Sequence, residues 1–365
     1  MASRADPPPV QGTVVLIGGT GDVGGRLVRL LLDHTAARLL LVSRSGVGSG
    51  DRVEALELDI AGKDAVGKLP LGATVINLTE ATPPTIAIEV VRNGGKFLET
   101  SASPNYVQAL RRGVAEVGGP GTVVLCVGTA PGLSTLMAAE LVRVKEAAAV
   151  DIGLELSMGR HYGRAATEWS IDALGRPYRL SGAENTIVRP GELRRSFTFL
   201  RGTRARPALG IGFAADGITD CRKAARPARV RTFVAIDPPF VTRAVGLLLR
   251  LGLGPALAQR KRGVTQVLRR LPETGQAHAR IVVEAQNPEG IVAASHHVAA
   301  GDQAAVTAAM ILATIRALPA ADRPMPGVRT IVDVLTFAEA LEALRHLLPR
   351  MAIETWSTDL NGERP

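Results

Sequence analysis

Thr13-Val14-Val15-Leu16-Ile17-Gly18-Gly19-Thr20-Gly21-Asp22-Val23-Gly24-Gly25-Arg26 is an apolar, β-branched run that breaks into glycines. Gly19, Gly21 and Gly24 fit G-x-G-x-x-G. In a strand-turn-helix the first such glycine makes the tight turn, the second lets backbone approach a pyrophosphate, and the third lets helix and strand pack closely. Val23, Leu27, Leu30 and Leu31 follow at helical spacing, which supplies the context the pattern needs. The stretch predicts a dinucleotide site lined by Gly18, Gly19, Thr20, Gly21, Asp22, Val23 and Gly24.

Outward from this turn, apolar runs at 39–42, 53–58, 74–78, 96–100 and 122–127 alternate with helical patterns at 84–91, about 105–114 and 133–144. Short strand-helix alternation predicts a parallel sheet covered on both faces. Beyond residue 149 the strands lengthen, and Val150, Ile152, Leu154 and Leu156 share one side. Runs at 279–285 and 291–298 flank Asn287-Pro288-Glu289-Gly290 and predict an antiparallel hairpin. A helix at 303–318, a strand at 328–334 and a helix at 337–348 follow. The expected fold class is α/β: a Rossmann doubly wound parallel sheet with a second α/β domain, its sheet mixed or antiparallel, for substrate and dimerisation. Its expected limits are a tail at 1–11, a Rossmann domain at 12–132 plus 301–350, a second domain at 133–300 and a C-terminal tail at 351–365.

A chain of 365 residues exceeds most single cores. Aromatics make up 3% and do not interleave with the basic stretches, which argues against a nucleic-acid surface. From Arg189 to Arg231 basic side chains outnumber the acids Glu192, Asp216 and Asp220 by eleven to three, much of the net charge of +9. That segment either draws in an anionic substrate or partner or is an arginine-rich solvated face, and the second reading is preferred. Cys126 lies in an apolar run and predicts a core thiol, and with Cys221 it makes no disulfide framework. The prolines and charges of residues 1–11 are unlike a signal peptide. Residues 244–258 are apolar but too short to span a bilayer and contain Arg250, so an amphipathic or buried helix is expected there. A cytoplasmic protein, without a transmembrane segment, is expected.

The end of the second strand selects between nicotinamide cofactors, because an acid there accepts the ribose 2′-hydroxyl and a basic residue accommodates a 2′-phosphate. It reads Val42-Ser43-Arg44-Ser45 with no carboxylate near in the sequence, so NADP(H) is expected, the alternative being a surface arginine and NAD. Asp59 after the third strand either accepts from the adenine amine or caps a helix. Tyr106, Tyr162 and Tyr178 are followed four residues on by Leu110, Ala166 and Gly182, so the Tyr-x-x-x-Lys pair of short-chain dehydrogenases is missing. G-x-S-x-G is absent, which removes a nucleophile elbow. His296 and His297 are adjacent on a strand and face opposite sides, a poor metal pair.

The Gly18-Gly19-Thr20-Gly21 turn, the strand ending Ser43-Arg44, the segment from Asn93 to Ser101 and the turn Gly128-Thr129-Ala130-Pro131-Gly132-Leu133-Ser134 together resemble the saccharopine dehydrogenase-like oxidoreductases. In that family the middle segment usually reads Gly-aromatic-Tyr-x-Asp-Thr-Ser, whereas this chain has Phe97 and Glu99. The likeness extends to Thr307-Ala308 and Pro326-Gly327-Val328. It implies an NADP-carrying Rossmann domain, a second domain inserted before the C-terminal helices, and a substrate between them. Members reduce imines or run the reverse oxidation, and distant ones are assigned enoyl reduction.

Imine reduction asks for a hydride donor and one acid. Candidate acids after the fourth and fifth strands are Glu80, following Asn77-Leu78-Thr79, and Glu99 with Ser101. Gly128, Pro131 and Gly132 turn the sixth strand towards its helix and are expected against the cofactor with Asn77, Leu78, Thr79 and Ser101. Residues 159–170 resemble the family's glycine-rich turn before a Thr-x-x-Ser helix and hold Arg160, His161, Tyr162, Arg164 and Glu168. His161 and Tyr162 are the general-acid candidates, with Glu168 and Glu80 beside them, and Arg160 or Arg164 would clamp a carboxylate. The reading is an NADPH-dependent homodimeric enzyme reducing a C=N bond of a small-molecule, possibly anionic, substrate. Enoyl reduction, or a non-catalytic NADP-binding sensor with an acidic partner, is the alternative.

Overall fold

The computed structural model describes residues 10–145, 147–157, 163–183, 186–219, 229–268, 270, 278–318 and 325–359. Arg160, His161, Tyr162 and Cys221 lie outside them. The chain begins with β1 (Thr13–Ile17), α1 (Asp22–His34), β2 (Arg38–Ser43), β3 (Val53–Glu57), β4 (Thr74–Asn77), α2 (Pro84–Arg92) and β5 (Lys96–Glu99). Next come α3 (Pro104–Val117), β6 (Thr122–Leu125), α4 (Ser134–Lys145), β7 (Ala149–Ser157), α5 (Arg164–Leu174), β8 (Tyr178–Arg179) and β9 (Ile187–Val188). Then β10 (Arg194–Phe197), β11 (Arg206–Ile211), β12 (Arg229–Asp237), α6 (Pro239–Arg250), α7 (Gly254–Gln259) and α8 (Lys261–Leu268). The last elements are β13 (Ala279–Gln286), β14 (Val292–Ala300), α9 (Gln303–Ala317), β15 (Gly327–Thr330), α10 (Phe337–Leu347) and β16 (Glu354–Asp359). Two compact units result, one of Met1–Gly132 with Thr307–Leu348 and one of Leu133–Val306 with Pro349–Pro365.

The first unit is a seven-stranded sheet of order β15-β6-β5-β4-β1-β2-β3. Every pairing in it is parallel. Parallel strands are buried on both faces, which is why β1 and β6 read as nearly continuous apolar runs. Pro84 and Pro104 open α2 and α3 from positions whose N–H would be unspent in any case. The order reverses between β1 and β4, and that switch point is where open α/β sheets take ligands.

The second unit is a mixed sheet of order β10-β11-β12-β7-β13-β14-β16. Among the described residues only β12 and β7 run parallel in it. Val150, Ile152 and Leu154 are buried on one face of β7. The opposite face is buried too: Phe197, Phe199, Ala208, Phe233, Ala235 and Val282 form one cluster. A flat sheet would hold β10 about 14 Å from β7. Yet a Cβ at Gly153 on β7 would lie 2.7 Å from Phe197 Cγ, and Arg195 of β10 pairs with Asp151 of β7. The sheet therefore curls until β10 closes over its centre.

Three boundaries differ from the sequence expectation. The strand expected at 328–334 ends at Thr330, because Asp333 accepts from the Thr330 N–H at 2.7 Å and starts a 3-10 turn at Ile331–Asp333. The apolar stretch 244–258 is two helices, broken where Gly252 adopts φ +78°. The expected tail at 351–365 supplies β16, which pairs with β14 and stacks Trp356 on His297 at 4.7 Å between ring centroids. Its polar residues carry little apolar alternation, so nothing in the sequence marks it.

Candidate functional site in the first unit

The strand-to-helix turn is made by Gly18, which has φ +83°, and not by Gly19 as the motif spacing suggests. The Gly18 N–H donates to the Val42 carbonyl at 3.2 Å, and the Gly21 N–H donates back to the Gly18 carbonyl at 3.1 Å. A Cβ at Gly24 would come within 2.3 Å of the Gly19 carbonyl oxygen, so α1 rests directly on the turn. A Cβ at Gly21 would meet only the Gly18 oxygen, at 3.4 Å, which leaves that side of the loop open. Thr20, Gly21 and Asp22 are exposed, and no side chain caps α1. Its first-turn N–H groups are therefore available to an anion. These features fit a dinucleotide pyrophosphate.

At the end of β2, Arg44 is exposed and the Ser43 and Ser45 hydroxyls lie 3.4 Å apart. The sequence shows no nearby carboxylate, but the fold brings one. Glu57 pairs with Ser43 across β2 and β3, and its Oε2 would lie 3.5 Å from a Cβ on Gly46. Sequence reasoning missed Glu57 because it looked only at the strand that carries Ser43. The Asp59 carboxylate accepts the Ala61 N–H at 3.2 Å and so closes a turn.

The ends of β4 and β5 hold a buried polar network. Asn77 and Glu99 are fully buried, and Asn77 Nδ2 donates to Glu99 Oε2 at 2.8 Å. The Ser101 N–H donates to Glu99 Oε1 at 2.7 Å. The Thr82 hydroxyl and the Thr79 N–H both donate to Asn77 Oδ1, at 2.7 and 3.3 Å. Ser101 Oγ donates to both oxygens of exposed Glu80, at 3.0 and 3.2 Å. Burial pushes the Glu99 carboxyl up to about 7, against the pull of Asn77 and the Ser101 N–H, and the Glu80 charge adds to the rise. The Tyr106 hydroxyl, on α3, is buried beside the Glu99 carboxyl. Desolvation and then the nearby Glu99 charge hold its pKa above the usual phenol value. Tyr106 had no motif to mark it.

This network abuts the glycine turn, since the Leu78 carbonyl oxygen would lie 3.3 Å from a Cβ on Gly18. At the end of β6, Cys126 is buried, as its apolar surroundings in the sequence predict, but it has φ +62°. That left-handed residue costs about 1 kcal/mol and re-aims the chain towards Gly128. Gly132 has φ +141°, and a Cβ there would sit 3.0 Å from the Cys126 carbonyl oxygen. The Thr129 and Thr307 hydroxyls lie 2.8 Å apart and tie this loop to α9. Gly18 to Gly24, Asn77 to Glu80, Ser101 and Gly128 to Gly132 thus all follow C-terminal strand ends of one parallel sheet.

The second unit's candidates are placed differently. Glu168 pairs with Arg164 at 2.9 Å, one helical turn away on α5. His296 is hydrogen-bonded to Ser357 at 2.7 Å, while His297 is buried, so the pair divides between two environments. The basic segment is partly spent internally. Arg195 and Arg231 pair with Asp151, and Arg206 pairs with Glu155 and Asp237.

Comparison with known proteins bears on the first unit. Residues 12–69 match the KR domain family model, covering the glycine turn and the first three strands. The parallel sheet of that unit is Rossmann-like. Among solved structures, a mutant meso-DAPDH of Clostridium tetani E88 with DAP is 14% identical over 92% of this chain and 98% of its own, with a TM-score of 0.44. An amine dehydrogenase of Mycobacterium smegmatis is 11% identical over 91% and 98%, with a TM-score of 0.42. The WlbA dehydrogenase of Bordetella pertussis, in complex with NADH and UDP-GlcNAcA, is 10% identical over 79% and 74%, with a TM-score of 0.33. No curated protein matches the chain.

Proposed function

We propose that this chain is an NADPH-dependent oxidoreductase that reduces a C=N bond in an amino-acid-like or secondary-metabolite intermediate. The observation that carries this reading is the meeting, at one sheet edge, of a glycine cradle and a buried carboxyl network, with the Leu78 oxygen 3.3 Å from the Gly18 Cβ position. When bound, the cofactor supplies a hydride to the unsaturated carbon. The chain's own work is to hold, orient and protonate. Gly18 to Gly24 with the α1 N-terminus take the pyrophosphate, and Ser43 and Arg44 take the 2′-phosphate. Asp59, Asn77, Leu78, Thr79, Ser101, Gly128, Pro131 and Gly132 complete the lining.

Glu80 is the proton-exchanging group, exposed and held by the Ser101 hydroxyl. Glu99, its carboxyl pushed up to about 7 by burial, stands behind it, since Ser101 donates to both carboxyl groups, its N–H to Glu99 and its hydroxyl to Glu80. His161 and Tyr162 remain general-acid candidates from the second unit. Steady-state loss of NADPH absorbance with a panel of imines tests the proposal. Glu80→Gln should lower kcat on the order of 10²-fold and leave the NADPH Kd unchanged. A chain that binds NADPH yet consumes none with any imine or enoyl substrate would overturn it in favour of non-catalytic binding.

Cofactor choice has its own test, since Arg44 and Glu57 favour opposite ribose states. Arg44→Ala should weaken NADPH about tenfold, roughly one charge-assisted hydrogen bond, and spare NADH. Glu57→Gln should spare NADPH and weaken NADH. An unchanged NADPH-to-NADH ratio in Arg44→Ala sinks the NADP assignment.

A further inference from the structure

Residues 238–272 contain no Asp or Glu and seven Lys or Arg. Within them α6 packs against β11 and β12, burying Thr242, Gly246 and Leu249, with the Gly246 Cβ position 3.0 Å from Leu209 Cδ2. At 100° per residue Phe240, Ala244, Leu247 and Leu251 fall on the opposite side. There Phe240 is 66% exposed, Leu247 53% and Leu251 66%, and Leu253 follows at 43%. Arg243 and Arg250 project together on one flank of this stripe, both exposed, and neither pairs with a carboxylate among the described residues. Arg194 joins that flank, its guanidinium donating to the Gly246 carbonyl at 3.4 Å.

Single exposed apolar residues are ordinary on a protein surface, but a stripe of large ones beside unpaired arginines is not. Its chemistry is that of a helix lying in a membrane interface, with an exposed apolar face and a basic flank. The charge decides between occupants. A second copy of a chain with net charge +9 would bring the same arginines against these. A nucleic acid would satisfy the arginines and leave Phe240 and the leucines facing phosphates. An anionic bilayer satisfies both at once. A 12-residue helix is roughly 18 Å long, short of the ~30 Å hydrocarbon core, so it lies on the bilayer and does not cross it.

We infer that residues 239–253 are a docking surface for an anionic lipid bilayer, with Phe240, Leu247 and Leu251 entering the acyl boundary and Arg194, Arg243 and Arg250 taking headgroup phosphates. The surface stands independently of the proposed reaction. Flotation of the full chain with vesicles of phosphatidylcholine alone, or mixed with phosphatidylglycerol, at low and high salt tests it. Binding is expected to the mixed vesicles only and to fall steeply with salt. Arg243→Gln and Arg250→Gln should each weaken it about fivefold. Phe240→Ser with Leu247→Ser should abolish it. Unchanged Tm and far-UV circular dichroism would show that these variants fold. Absence of binding to mixed vesicles, equal binding to neutral ones, or folded variants that bind like the parent would each overturn the inference. If vesicles stay unbound while the same serine variants abolish a concentration-dependent dimer in ultracentrifugation, the stripe is instead an interface between copies.

Discussion

Glu99 in the first unit and Asp151 and Glu155 in the second are carboxylates with almost no exposure to solvent, yet their charges are met in different ways. Asp151 receives Arg195, Arg231 and Gln286, and Glu155 receives Arg206 and Arg280. Glu99 receives an asparagine amide and a backbone N–H, with the Tyr106 phenol and a second carboxylate, Glu80, close by. Burial without a cation raises a carboxyl pKa, as it does for Glu99. The difference separates a carboxyl whose pKa is pushed up to about 7 from groups that hold strands in register. Asp151 lies opposite both Arg231 and Glu284 in the strand pairings, so its ion pairs link β12, β7, β13 and, through Arg195, β10.

The strongest test of the structural half removes one cation. Arg231→Leu leaves Asp151 Oδ1 buried without its donor, and breaking such a pair costs about 3 kcal/mol. Both tryptophans, Trp169 and Trp356, belong to the second unit, so intrinsic fluorescence follows its unfolding in urea without contribution from the first. A loss below about 1 kcal/mol, the range of exposed pairs, would mean that water screens the network and would erase the contrast.

The functional half is tested through pH. Glu99 keeps its proton up to about 7 in the folded chain, against an ordinary value of 4.5. Between those two values the folded form binds more protons than the unfolded form, so stability falls as pH rises and then levels off above 7. At about 1.4 kcal/mol per pKa unit the fall amounts to roughly 3 kcal/mol. Glu99→Gln cannot titrate and should flatten this slope, whatever its absolute stability, as read by calorimetry from pH 4 to 8. An equal slope in parent and variant would mean that Glu99 ionises like an exposed carboxylate.

How far these contrasts could be read in advance depends on how local their causes are. The β-branched runs of β1, β4 and β6 and the glycines after β1 announce a parallel sheet and its cradle, because each signal lies within a few residues. The exchange of roles between Gly18 and Gly19 escaped, since two adjacent glycines satisfy the same spacing and only backbone geometry separates them. Glu57 and Tyr106 escaped because they reach the site from other elements. The basic segment was read as a solvated face, but several of its arginines answer acids up to 80 residues upstream. The alternation of Val150, Ile152 and Leu154 marked one face of β7. Nothing in that alternation shows that Asp151 and Glu155, on the other face, are covered by β10.

The pair Arg164–Glu168 supplies the small end of the same scale. Its side chains are 62% and 20% exposed, so water screens the attraction. The order is also unfavourable: the arginine stands at the α5 N-terminus, where the helix dipole is positive, and the acid lies one turn later. Exposed pairs of this kind contribute about 0.3 to 0.5 kcal/mol. Glu168→Ala should therefore lower the stability read from the fluorescence-monitored urea transition by no more than that, and turnover should stay within about twofold, because the carboxylate is already engaged within its own helix. A fall in kcat on the order of 10²-fold at unchanged stability is the signature of lost general acid catalysis. It would return Glu168 to the reaction and move the proton source from Glu80 on the first unit to the second.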